Sequence, residues 1–256
     1  MKKIAYTTLL LCIVNLSIFA KEHYNENYIQ VKRPVMNNYG TEFHMGTAIN
    51  PSGSTLQANS TGLLLDGQPV IPVMGEFHYS RFPDTEWRKE LLKMKAGGIN
   101  IIASYIFWIH HEEMEGKYNW EGRRNLRKFI ELCRELNLPF VLRIGPWCHG
   151  EVRNGGLPEW LVNSGIKLRS NNDAYLEKVH TWFTQLYSQL QGLMWKDGGP
   201  IIAVQIENEY GGSGEHLMTL KKNDSRDWFR YSTLHTDRMA QIIITCSLWR
   251  NTSIIR

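Results

Sequence analysis

In the stretch GGPIIAVQIENEYGG, Gly198 to Gly212, an apolar run of strand character stops abruptly at Glu207, Asn208, Glu209 and Tyr210. Ile201, Ile202, Ala203 and Val204 form the unbroken run expected of a parallel strand buried on both faces. In α/β barrels the chemistry sits where such strands end, so carboxylates at this point suggest a catalytic site. The competing reading takes them as solvated loop acids. Against it, unpaired polar groups closing an apolar strand are costly unless something uses them.

Working outward, strand and helix patterns alternate. Strands are predicted over 69–77, 100–108, 140–144 and 201–206, and helices over 86–96, 123–136 and 174–193, the order that βα units require. Asp84 can cap the first helix, Trp87, Leu91 and Met94 recur at helical spacing, and Gly97 and Gly98 stop it. In the second helix Leu126, Phe129, Ile130, Cys133 and Leu136 share one face, which ends before Asn137 and Pro139. Both stripes read as core. The fold class is therefore α/β, the N-terminal half of a (βα)8 TIM barrel, incomplete in this chain. The alternative is a doubly wound open sheet, but the first strand-to-helix loop carries HYSRFPDTEW and no glycine-rich phosphate turn.

Composition bounds the function. A chain of 256 residues that is 43% hydrophobic can bury a sizeable core. Its formal net charge of +4 is spread among acids, without the clustered basic face of a nucleic-acid binder. Residues 1–20 read as a signal peptide, with Lys2 and Lys3 ahead of an apolar core and Ala20 before Lys21. That core is too short for a permanent membrane span, and a buried N-terminal strand is the other reading. Export to the periplasm or the cell exterior is the expectation, with no membrane association after cleavage. Residues 21–62 read as a polar, loosely structured lead-in. Cys12 leaves with the signal peptide, and Cys133, Cys148 and Cys246 lack metal-ligand spacing. Neither a metal nor a disulfide framework is expected.

Polar and aromatic residues gather after each predicted strand, at the barrel's C-terminal face. The first strand is followed by Glu76, His78, Tyr79 and Arg81, and the second by Tyr105, Trp108, His110, His111 and Glu112. The third contributes Arg143, Trp147, His149, Glu151, Arg153 and Asn154. Aromatics beside acids and amides suit a sugar, whose ring has apolar faces and hydroxyl edges. His110 and His111 are adjacent in a segment read as extended, so their side chains point apart and shared metal ligation is not expected. Arg143 can equally pair with a barrel acid or touch a substrate, and Trp160 and Leu161 read as packing residues.

The strings GEFHYSRFP, EWRKELLKMKAGGINIIASYIFWIHHE, RIGPWCHGEVRNGGLPEWL and GGPIIAVQIENEYGG resemble glycoside hydrolase family 35, the β-galactosidases, over 63–222. The resemblance implies a retaining exo-acting hydrolase that releases terminal β-linked galactose from an oligosaccharide or glycan, with no cofactor. It implies that Glu209 is the general acid/base and that Asn208 bonds the sugar 2-hydroxyl. Tyr105, His149, Gly150 and Glu151 fall on sugar-binding positions, although His149 replaces the cysteine or asparagine usual at its place. Glu207 fits the motif without a catalytic role. Retaining hydrolysis needs a second carboxylate about 5 Å from the first as nucleophile. Its strand is expected after Arg256, so the nucleophile is absent from this chain. The apolar strand behind Glu209 is expected to favour its protonated form.

The pattern fails in the tail, 223–256, which we read as translated out of frame. A one-base shift turns Trp228 and Trp249 into glycine and Met239 into tryptophan, and synonymous codons then convert 228–240 into GFDTPLYTRTGWP, similar to the family's continuation. The other reading is a divergent short tail. The expected product is an inactive fragment. A non-catalytic carbohydrate-binding remnant, or a related retaining hydrolase for another β-linked sugar, are the alternatives.

Overall fold

Four parallel strands lie side by side in chain order, each separated from the next by helical chain. They are β4 (Met74–Glu76), β5 (Ile101–Tyr105), β6 (Phe140–Gly145) and β7 (Ile201–Ile206). The computed structural model describes residues 48–59, 62–209 and 242–245, the last for their backbone only. The described residues all fall within one compact unit, Tyr39–Arg256. The predicted signal peptide and positions 21–47 of the lead-in lie outside the described residues, as do 210–241 and 246–256 of the C-terminal part. No helix among the described residues is long and apolar enough to cross a membrane.

Sequential, unreversed strand order is what the first half of a (βα)8 barrel requires, whereas a doubly wound sheet reverses at a switch point. The helices cover the outer face. Trp87 and Leu91 of α1 (Trp87–Ala96), the short α2 (Trp108–His111), and Leu126, Phe129, Ile130 and Cys133 of α3 (Leu126–Glu135) are buried there. After α4 (Glu159–Val162), α5 (Asp173–Leu190) adds Tyr175, Val179, Trp182, Leu186 and Leu190 at helical spacing. Each such side chain contributes about 1.5–3 kcal/mol when fully buried.

Helix ends follow local chemistry. Asn125 and Asn172 accept from the backbone N–H of Lys128 and Tyr175, capping α3 and α5. Helix α1 ends in a Schellman turn: Gly98, at φ +92°, donates to Lys95 O and Ile99 donates to Met94 O. Helix α3 ends the same way, with Asn137 at φ +52° in the glycine's place. Asp84 does not cap α1. Its carboxylate is drawn away by the Lys128 ammonium at 2.7 Å, and Glu86 occupies the cap position without a side-chain bond.

Three element predictions are corrected. The single strand expected over 69–77 divides into β3 (Gln68–Val70) and β4, because Pro72 has no N–H for a ladder and the chain turns between sheets. Asn100 closes that break, accepting from Val73 N at 2.8 Å and donating to Ile71 O at 2.9 Å. The second strand stops at Tyr105, and His110 and His111 lie in the helical turn α2 rather than in extended chain. The lead-in is not loose throughout: β1 (Leu56–Asn59), β2 (Gly62–Leu65) and β3 form an antiparallel meander. Leu56 and Leu63 of that meander pack with Trp195 against Ile101, Ala103, Val141, Ile202 and Ala203, a second core cluster distinct from the helix-covered one.

A strand that the sequence did not reveal, β8 (Ile242–Thr245), pairs antiparallel with β7, Val204 opposite Ile244. It pairs with the β7 edge over Ala203–Ile206, so those backbone groups have a ladder partner.

Candidate active site

Strand register builds the site. Tyr105 of β5 pairs with Arg143 of β6, and Arg143 pairs with Gln205 of β7, so three polar side chains stand at one level near the C-terminal ends of adjacent strands. Arg143 is the hub. Its Nε donates to Gln205 Oε1 at 2.8 Å and its Nη1 reaches both Glu76 oxygens at 2.7 Å. Its Nη2 donates to Tyr105 Oη and, at 3.1 Å, to Asn208 Oδ1. Of the two roles open to Arg143, the structure thus favours pairing with a barrel acid. Burial tends to raise the Glu76 carboxyl, but hydrogen bonding from His78 and the charge of Arg143 outweigh it and hold it below its ordinary value. Burial pushes the Tyr105 phenol up to about 12, Arg143 opposing and Glu76 reinforcing, so it is a hydrogen-bond donor at any physiological pH.

Asn208 is nearly fully buried and its amide orientation is determined by its neighbours. Oδ1 accepts from Tyr105 Oη at 2.8 Å, from Gln205 Nε2 at 3.1 Å and from Arg143. Nδ2 therefore faces the other way, 2.7 Å from His149 Nδ1. Glu209 Oε2 lies 3.3 Å from the same nitrogen. The structure thus brings together Tyr105, His149, Asn208 and Glu209 from three different strand ends. Gly150 adjoins them, stacked on Phe107 and Tyr105, with its carbonyl accepting from Arg81 Nη2 at 2.7 Å. Glu151 is exposed one residue further on the same loop.

Backbone strain concentrates here. Glu207 (φ +59°), Glu209 (φ +48°), His149 (φ +50°), Glu151 (φ +50°) and Asn154 (φ +58°) are left-handed non-glycine residues on the loops that follow β6 and β7. Such conformations persist only where surrounding contacts impose them, and they cluster at functional sites. At Glu207 the contact is Arg169, whose Nη2 donates to Glu207 Oε2 at 2.9 Å and to Asn208 O at 2.8 Å. The guanidinium carbon also lies 4.7 Å from the Trp147 ring centroid.

One expectation about Glu209, its apolar surroundings, is not met. Its side chain keeps 58% of its surface exposed, so the apolar strand does not surround it. The left-handed turn at Glu207 directs that carboxyl inward and leaves Glu209 outward, so the buried acid is Glu207. Burial raises Glu207, with Arg169 pulling against it.

Elsewhere on this face, His111 is fully buried against Tyr79, whose hydroxyl meets its Nε2, and Ser80 Oγ meets His110 Nδ1 at 2.8 Å. Trp160 and Leu161 pack as read, Trp160 edge-on to Trp108. Arg169, Gln205, Arg81 and Phe107 carry roles that the sequence did not assign. Gln205 has a faint signal, a lone polar residue inside an apolar strand; Arg169 has none.

Comparison with known proteins then bears on the motifs. The family described as "Glycosyl hydrolases family 35" matches residues 62–248, most of the chain. The chain belongs to that family. The family 35 match runs past Lys222, where the motif resemblance ends. Among curated relatives, "Beta-galactosidase" of Bos taurus is 45% identical over 149 residues, covering 58% of this chain and 23% of its own length. "Beta-galactosidase" of Canis lupus familiaris is 42% identical over 158 residues, covering 61% and 24%. "Beta-galactosidase" of Homo sapiens is 42% identical over 149 residues, covering 58% and 22%. This family 35 chain spans about a quarter of the length of the curated relatives it matches.

Proposed function

We propose that the site serves a retaining exo-β-galactosidase that acts, after export, on terminal galactose of an oligosaccharide or glycan. The observation that carries the reading is that Arg143 assembles Tyr105 and Asn208 at the ends of parallel strands, with Glu209 the next residue in the chain, in a family 35 chain. Glu209, exposed on the open side of the site, protonates the departing glycosidic oxygen and then, as a carboxylate, activates the water that releases galactose. Asn208 has one amide hydrogen engaged by His149 and the other available to the sugar 2-hydroxyl. Gly150 and Glu151 flank the ring from the loop after β6. The covalent step also needs a second carboxylate as nucleophile, a role that none of these residues fills.

The test is Glu209→Gln in the full-length enzyme. Hydrolysis of lactose is expected to fall by about 10²–10⁴, the range of general acid–base catalysis. With 2,4-dinitrophenyl β-galactoside, whose leaving group needs no proton, the enzyme is expected to be galactosylated at near the parent rate. Unchanged lactose hydrolysis would refute the assignment. Comparing galactoside, glucoside and glucosaminide substrates separates this reading from a hydrolase for another β-linked sugar.

A further inference from the structure

The buried acid of the strand-end motif has no part in the chemistry above. Glu207 is 3% exposed, and the cation that meets it, Arg169, comes from 38 residues earlier in the chain. Resting on the assignment of Glu209 as the acid, we infer that Arg169 is a positioning residue: by gripping Glu207 and the Asn208 carbonyl, its guanidinium fixes the peptide plane from which Glu209 projects, and so aims the acid at the glycosidic oxygen.

One guanidinium holds two successive residues of the turn. Its Nη2 donates to Glu207 Oε2 at 2.9 Å and to Asn208 O at 2.8 Å, and its Nε reaches the same carboxylate oxygen at 3.2 Å. The Asn208 carbonyl belongs to the peptide unit whose nitrogen is that of Glu209. Because the unit is planar, a fixed carbonyl fixes the direction of the Glu209 N–Cα bond. Left-handed residues lie on both sides of Asn208, Glu207 at φ +59° and Glu209 at φ +48°. Non-glycine residues keep that conformation only where contacts impose it.

The remaining anchors tie the turn to the barrel. Glu207 N–H donates to Gly145 O at 2.7 Å, and Gln205 Nε2 donates to Glu207 O at 3.0 Å. The Glu207 carboxyl also accepts from the backbone N–H groups of Trp147 and Asn208, which joins the loop after β6 to the end of β7. The Asn208 amide is held by a different set, Tyr105, Arg143 and Gln205. Loss of Arg169 is therefore expected to free the backbone leading into Glu209 while the amide that meets the sugar 2-hydroxyl stays in place.

Arg169 is itself built into position. It sits at φ +47°, its side chain is 15% exposed, and its guanidinium lies over the Trp147 ring at 4.7 Å. A planar fork can reach a carboxylate and a carbonyl together, which a single ammonium does less well.

The experiment removes the guanidinium from the full-length enzyme, with and without the acid. Arg169→Met keeps an apolar stem over Trp147 and loses every donor. Its kcat/KM on lactose is expected to fall by about 10-fold or more, part of the acid's own contribution, and on 2,4-dinitrophenyl β-galactoside to stay within about 2-fold. Because Arg169 acts through Glu209, adding Arg169→Met to Glu209→Gln is expected to lower lactose hydrolysis by no more than about 2-fold beyond Glu209→Gln alone. Arg169→Lys, which keeps a charge beside Glu207, is expected to lie between the parent and Arg169→Met on lactose. If Arg169→Met does not fold, Arg169→Lys decides: a loss confined to lactose supports the inference, and an equal loss on both substrates, or none, overturns it. For Arg169→Met, equal losses on both substrates, no loss on either, or losses that multiply in the double variant overturn the inference. The acid assignment then still stands if Glu209→Gln keeps its leaving-group dependence. Loss of that dependence in Glu209→Gln overturns both.

Discussion

Gly150 shows how narrowly a single residue can be determined at this site. It sits at φ +51°, and a Cβ there would lie 2.7 Å from Phe107 Cε1 and 3.2 Å from Tyr105 Cδ2. Gly150→Ala must push on two buried rings, one of which hydrogen-bonds Asn208. Overpacking of this kind costs about 1–3 kcal/mol, and the backbone conformation adds to it. The expected outcome is a lowered denaturation midpoint together with weaker galactose binding, read by chemical denaturation and by inhibition with galactose. Motifs identified Tyr105, His149, Gly150, Glu151, Asn208 and Glu209 as candidates, but not their division of labour. That division comes from who donates to whom, and Arg143 and Arg169 arrange it from distant points in the chain.

Among the elements, the break between β3 and β4 depends on one side chain. Asn100 supplies both an acceptor and a donor to a segment that Pro72 bars from regular pairing, and its own backbone N–H bonds Val73 O at 3.0 Å. Asn100→Ala leaves Val73 N–H and Ile71 C=O without that partner. These groups are largely exposed and water replaces much of the loss, so about 1 kcal/mol is expected. Hydrogen exchange is expected to rise at Val73 and at the start of β5, and to stay unchanged in α5. Helix periods and caps were readable because a 3.6-residue stripe and a terminal Asn or Gly are local properties. The meander escaped notice because its few apolar residues gain meaning only against strands remote in sequence. Strand β8 lies within 223–256, the stretch read as out of frame, so its apolar run was given no structural weight.

For the whole molecule, acid stability follows the histidines. Burial, then the charges of Arg81 and Arg124, lower His110 to about 4, and burial takes His111 well below its usual range. A base depressed in the folded state binds protons first in the unfolded chain. Its contribution is whole above about 6.5 and drains away as pH falls toward the folded value. Each imidazole contributes a slope of at most about 1.4 kcal/mol per pH unit in that window. Glu76, lowered in the folded state, adds a loss below its ordinary range, while Glu207, raised by burial, works in the opposite direction. Unfolding free energy measured by urea titration is expected to decline from pH 7 to pH 4, and His110→Gln to flatten the decline. A pH-independent stability across that interval would contradict this assignment of the buried imidazoles.

Local pattern in the chain was enough to establish the alternation of strands and helices, the order of four parallel strands, and the strand-end residues among which the site is found. These are short-range properties: the period of burial, the residue that stops a helix, the abrupt end of an apolar run. Folding in three dimensions chose between Glu207 and Glu209 as the buried acid, made Arg143 the hub, and set Asn208 against His149. Those outcomes depend on register between strands about 40–60 residues apart and on left-handed backbone imposed by neighbouring loops, and neither leaves a mark on a linear string.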